Sequence, residues 1–126
     1  MKQIIVTPHA PSSALYSQGV RARSTIYVSG MTGVDPTTGQ QAGTTIQVQT
    51  RQAIRNCAAI VAAGGGDLSD VVHVTVLLAR PEDFAGMNQA YAETFATDPP
   101  ARAVTKLGVE LPGVLVSIAM TAQMNA

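Results

Sequence analysis

The ten residues from Asp70 to Ala79, Asp-Val-Val-His-Val-Thr-Val-Leu-Leu-Ala, constrain the fold more than any other segment. They are dense in β-branched side chains, which pack well on a pleated surface and lose rotamer freedom in a helix. The run therefore reads as a strand, with Val72, Val74, Val76 and Leu78 on one face and His73 and Thr75 on the other. Helical signals flank it on both sides. Upstream, Ile54, Cys57, Ala58 and Val61 recur at i, i+3, i+4 and i+7, and Gly64-Gly65-Gly66 closes that helix. Thr44 or Thr45 opens it, and Thr44 with Gln47 has capping-box spacing. Downstream, Pro81 suits a first helical turn and Asp83 complements the helix dipole. Phe84, Met87, Tyr91 and Phe95 form the buried stripe of this second helix, and Asp98-Pro99-Pro100 stops it.

The rest of the chain reads as strands and turns. Strands are expected over Lys2 to Val6, Leu15 to Arg21 and Thr25 to Ser29, with an exposed loop at Gly33 to Gly39. Arg102 to Val109 and Val114 to Gln123 close the chain, separated by Glu110-Leu111-Pro112-Gly113. Three strands, helix, strand, helix and two strands make an α+β fold, a mixed sheet with two helices on one face. No linker or repeat divides the 126 residues, so residues 1–126 are expected to form a single domain. Nothing in the chain remains to cover the other sheet face, which points to self-association. Charged residues at only 13% of the chain, about half the usual share, point the same way.

Charge also limits the partners. Eight basic and eight acidic residues cancel, so neither a nucleic acid nor an anionic membrane is the expected partner. No apolar run reaches membrane-spanning length, and the N-terminal Met-Lys-Gln-Ile-Ile-Val starts like a strand rather than a signal peptide. The single cysteine, Cys57, excludes an internal disulfide, and no Cys/His cluster has zinc spacing. A reducing cytoplasm is the expected setting. Cys57 reads as a small core residue, His73 as a structural or interface histidine, and His9 as a loop residue.

Several short motifs occur in a telling order. They are Tyr16-Ser17-Gln18-Gly19, Val28-Ser29-Gly30, Gln49-Thr50 leading to Asn56, and Asp83-Phe84 through Asn88 to Tyr91 and Phe95. Pro100-Ala101-Arg102 and Leu111-Pro112 follow. Each is common alone, but together, over about a hundred residues, the chain resembles the RidA/YjgF family. The resemblance implies a chorismate mutase-like trimer, its sheets forming a central barrel and its clefts lying between subunits. It also implies a cofactor-free, metal-free deaminase of the enamine and imine intermediates of 2-keto acids, the 2-aminoacrylate class.

The same resemblance assigns residues. Arg102 matches the arginine that holds the substrate carboxylate, a task suited to a guanidinium's paired donors. Taken alone it also reads as a surface arginine. Tyr16, Ser29, Gly30 and Asn88 match cleft positions. By their residue types they equally suit a half-buried ring, a strand-end hydroxyl, a turn glycine and a loop cap. Family members with imine deaminase activity usually carry a glutamate in the last strand, and here that position falls on Ser117 in Val116-Ser117-Ile118-Ala119-Met120. A serine can hydrogen-bond a water but cannot act as a carboxylate base near neutral pH. Two alternatives therefore stand beside the deaminase: a non-catalytic binder of small carboxylates such as 2-keto acids, and a related enzyme with another catabolic substrate.

Overall fold

The computed structural model describes residues 1–125. Its main sheet has six strands, β1 (Lys2–Ile5), β2 (Gly19–Ala22), β3 (Thr25–Thr32), β6 (Val71–Leu78), β7 (Ala101–Lys106) and β8 (Val116–Gln123), in the order β1-β2-β3-β8-β6-β7. Only β6 and β7 run parallel, and the crossover between them is helix α2 (Phe84–Phe95). Helix α1 (Ile46–Ala63) lies on the same face, over β3 and β8. This is the expected α+β arrangement of a mixed sheet with two helices on one side. The core sits between: Ile26, Val28, Val74, Val76, Val116, Ile118 and Met120 from the sheet meet Ala53, Ile54, Cys57, Ile60 and Val61 of α1.

Local chemistry accounts for the helix ends. Thr45, not Thr44, caps α1, its Oγ1 accepting from Val48 N–H at 3.2 Å. Gln47 takes no part in a capping box, because its amide reaches across to Gln89 on α2. At the other end Gly65 adopts φ +99°, and the N–H groups of Gly65 and Gly66 close onto the carbonyls of Ala62 and Val61. That left-handed closure is where the glycine run is required.

The strands depart from expectation where polar side chains or bulges intervene. Residues 15–18 are not part of β2, because the buried Gln18 side chain bonds Thr7 N–H and the carbonyls of Thr7 and Ala10, holding the segment in a loop. The Gly33–Gly39 segment forms the first strand and turn of a small hairpin, β4 (Val34–Asp35) with β5 (Gln40–Gln41), pinned to α1 by Asn56 through the carbonyls of Thr32 and Val34. Val72 faces outward at 49% exposure, since a bulge between Val71 and His73 shifts the alternation. Val74, Val76 and Leu78 do face the core. Phe84 is also exposed, and Ala90 joins Met87, Tyr91 and Phe95 in the buried stripe of α2. Asp83 lies in a 3-10 turn before α2 and pairs with Arg80 at 2.9 Å. The last two strands are shorter than expected, ending at Lys106 and beginning at Val116.

Candidate functional site

Arg102 is the second residue of β7, just after Pro99-Pro100, and projects to the helix side of the sheet, at its edge. Its Nη1 donates to Asn88 Oδ1 at 2.7 Å. Its guanidinium carbon lies 4.8 Å from the centre of the Tyr91 ring, a cation–π distance, and Met87 Sδ is 4.0 Å from Nη1. Met87, Asn88 and Tyr91 fall on one side of α2, so a single helical turn supplies all three neighbours. No carboxylate among the described residues pairs with Arg102, whereas Arg51 and Arg80 each have one. The side chain is exposed in a single copy of the chain, so its charge remains hydrated rather than buried.

Burial pushes the Tyr91 phenol above its ordinary pKa, with the Arg102 charge pulling weakly the other way. The ring therefore stays neutral beneath the guanidinium. Tyr91 read from sequence as core alone. Its distance from Arg102 in the chain hid this second contact, although the shared helical side with Asn88 was a usable signal.

The other candidates gather elsewhere. Val28 pairs with Met120 and Met31 with Ile118, so Ser29 and Gly30 together oppose the single residue Ala119. This bulge is tied down by Ser29, whose N–H donates to Gln18 O at 2.9 Å and whose Oγ donates to Ser17 O at 2.6 Å. Tyr16, half-exposed, is the neighbour of that Ser17. A Cβ placed on Gly30 would stand 2.9 Å from Ser117 Oγ, so the absent side chain is what lets this backbone approach the serine. Ser117 itself is 9% exposed.

Strand register separates these two groups. Arg102 pairs with Val74, and Ser117 pairs with Leu77. Positions 74 and 77 differ by an odd number, so their cross-strand partners leave the sheet on opposite faces. Arg102 and Ser117 are two strands and three residues apart, roughly 14 Å between their Cα atoms from standard sheet spacings. Within one chain the structure thus joins Arg102 to Asn88 and joins Ser29, Gly30 and Ser117. It does not join the two sets.

The remaining sequence candidates are quiet. Cys57 Sγ donates to Ile118 O at 3.3 Å, and complete burial raises its thiol pKa well above the usual range, so it is no nucleophile. His73 is exposed on β6 and His9 lies in the loop after β1. Among the described residues no group of three or more His, Cys, Asp or Glu could hold a metal ion, and no helix is long and apolar enough to cross a membrane.

This sheet, with its two same-side helices and an edge arginine at Pro-Ala-Arg, defines a fold class that comparison with known proteins makes specific. The family model described as "Endoribonuclease L-PSP" matches residues 7–124. A RutC family protein of Pyrococcus horikoshii is 40% identical over 119 residues, covering 94% of each chain. The human 2-iminobutanoate/2-iminopropanoate deaminase is 36% identical over 94% of this chain and 87% of its own. Among solved structures, E. coli TdcF with bound serine superposes with a TM-score of 0.91 at 31% identity, covering 98% of this chain and 99% of that one. The chain belongs to the RidA/YjgF family.

Proposed function

We propose that the protein is a deaminase of 2-imino acids, hydrolysing the imine and enamine intermediates of 2-keto acids to the keto acid and ammonia. The observation that carries this reading is Arg102: a guanidinium at a strand edge, oriented by a neutral amide and an aromatic ring, with no carboxylate on it among the described residues. Such a group favours a ligand carboxylate, which it can take with two parallel hydrogen bonds. Kinship with the human 2-iminobutanoate/2-iminopropanoate deaminase supports an imino acid as that ligand. The serine bound in TdcF supports a small amino-acid-like ligand in this family. The family description as an endoribonuclease finds no support in the charge of this chain, which is zero.

In this reading R–C(=NH)–COO⁻ binds through its carboxylate to Arg102. Asn88 and Tyr91 hold the guanidinium, and water adds to the imine carbon. The resulting carbinolamine expels ammonia and leaves the keto acid. Such imines hydrolyse readily unaided, so orientation and modest charge stabilisation suffice. Tyr16, the Gly30 backbone and the Ser117 hydroxyl line the place of the amino end and the water. Because Arg102 and Ser117 leave opposite sheet faces, the cleft needs Arg102 from one copy and the Ser29–Gly30–Ser117 set from another. A homotrimer with clefts between subunits meets that need, each copy being a single cytoplasmic domain. The test is ammonia release from freshly generated 2-iminopropanoate. Arg102→Ala should lower the rate at least tenfold, and equal rates in both proteins would sink the role of Arg102.

A second reading is favoured by Ser117 itself, an uncharged residue at the position where the family resemblance leads one to expect an acid: the cleft binds 2-keto acids without turnover. Saturable pyruvate binding that Arg102→Ala abolishes, with no ammonia release by the wild type, would select it.

A further inference from the structure

The carboxylate anchor has an apolar neighbour. Arg102, Val104 and Lys106 pair with Val74, Val76 and Leu78, so all three side chains leave β7 toward α2. On α2, Phe84 precedes Asn88 by one helical turn, on the same side of the helix. Strand and helix run in opposite directions: Lys106 lies at the Phe84 end and Arg102 at the Asn88–Tyr91 end. At the Phe84 end is an open groove of about 430 Å³, lined by Leu78, Pro81, Phe84, Val104, Thr105 and Lys106, and Val104 is the lining residue nearest Arg102 along the strand. Phe84 is 46% exposed, although the stripe pattern of its helix would bury it.

We infer that this groove is the side-chain subsite of the ligand, and that it selects 2-imino and 2-keto acids with an apolar side chain of several carbons over the methyl homologue. The inference rests on Arg102 as carboxylate anchor. With the carboxylate fixed there, the ligand can lay its side chain along the strand, over Val104 toward Phe84 and Pro81. The occupant is set by the Arg102 charge, two residues along the strand from Val104, and by the apolar lining of the groove. Each buried methylene adds roughly fourfold in affinity, so an isobutyl group in this half-open groove should gain about tenfold over methyl.

Calorimetry with stable 2-keto acids tests this without turnover. 4-Methyl-2-oxopentanoate is expected to bind about tenfold more tightly than pyruvate, and Phe84→Ser should reduce that ratio to about twofold. Arg102→Ala should weaken both ligands together. Equal affinities for the two ligands, with Arg102 still required, would overturn the subsite and leave the anchor standing. Binding of neither ligand would overturn both. If Phe84→Ser changes the assembly mass in light scattering and leaves the ratio unchanged, the groove is a contact between copies and the subsite is overturned.

Discussion

Arg102 Nη1 donates to Asn88 Oδ1 at 2.7 Å, joining the edge strand to the neighbouring helix fourteen residues earlier in the chain. An amide is a telling partner. It accepts from the guanidinium without neutralising it, so the geometry is fixed and the charge remains available. Tyr91 beneath the guanidinium acts in the same sense. In the proposed site Asn88 is therefore a positioning residue, one that would act on the ligand through Arg102.

Two substitutions at Asn88 should differ in kind. Asn88→Ala removes a hydrogen bond to a charged group, worth about 1.5 kcal/mol, and should weaken pyruvate binding about tenfold. Asn88→Asp keeps the acceptor but places a carboxylate on the guanidinium, in competition with the ligand. It should bind more weakly than Asn88→Ala. In steady-state assays on imino acids both should raise KM and leave kcat within about twofold. The opposite order of the two variants in calorimetry would show that Asn88 only holds the fold together.

The bulge at Ser29–Gly30 makes a second prediction. Ser117→Glu should raise ammonia release from 2-iminopropanoate at least tenfold, since a positioned carboxylate base contributes about 10²–10⁴-fold. The space for that side chain lies beside Gly30, where an added Cβ already stands 2.9 Å from Ser117 Oγ. The gain should therefore vanish in the Gly30→Ala, Ser117→Glu double variant, a coupling that a double-mutant cycle reads directly. Additive rates would place the glutamate away from the bulge.

These two groups of residues differ in how far the sequence reveals them. Strand β6 and helix α1 are legible because their signals are local: a β-branched run, a 3.6-residue period and a glycine stop. Arg102 stands out through Pro-Ala-Arg in its ordered context, and Ser117 through a missing acid. The faces they occupy are not legible, because they depend on the register of β6 against both β7 and β8. Both bulges are hidden for the same reason, and one of them turns Val72 outward. Buried amides are hidden differently. Gln18, Gln49 and Asn56 stand in the sequence motifs, but nothing in their spacing shows that each is spent on backbone groups of distant segments.

Gln49 offers the clearest test of that last point. It is 1% exposed, and its Nε2 donates to the carbonyls of Gly43 and Gly113 while its Oε1 accepts from Leu115 N–H. One side chain thus fixes the entry to α1 and the turn that leads into β8 and Ser117. Gln49→Leu keeps most of the volume and removes all three bonds. We expect a loss of about 2–3 kcal/mol in urea unfolding, with the partly exposed Gly113 carbonyl recovering a water partner. A loss below about 0.5 kcal/mol would mean that the loops hold themselves.

The contact between the two helices should depend on pH. Arg51 on α1 grips Glu93 on α2 with two hydrogen bonds, Nε to Oε1 at 2.9 Å and Nη2 to Oε2 at 2.8 Å. The Arg51 hydrogen bond holds the Glu93 carboxyl below its ordinary pKa, with a smaller charge effect from Arg51 and then Arg55. A carboxylate with a lowered folded-state pKa stabilises the fold above its unfolded value, near 4.3, and loses that contribution as pH falls through the folded value. Both side chains are solvent-exposed, so the effect is small and screened by salt. Thermal unfolding of wild type and Glu93→Gln should differ measurably at pH 7 and low ionic strength. The two melting temperatures should converge as pH falls through the lowered folded-state value, where the wild-type carboxyl takes up its proton and resembles the amide. A difference that does not narrow as pH is lowered would assign the stabilisation to packing of the side chain rather than to its charge.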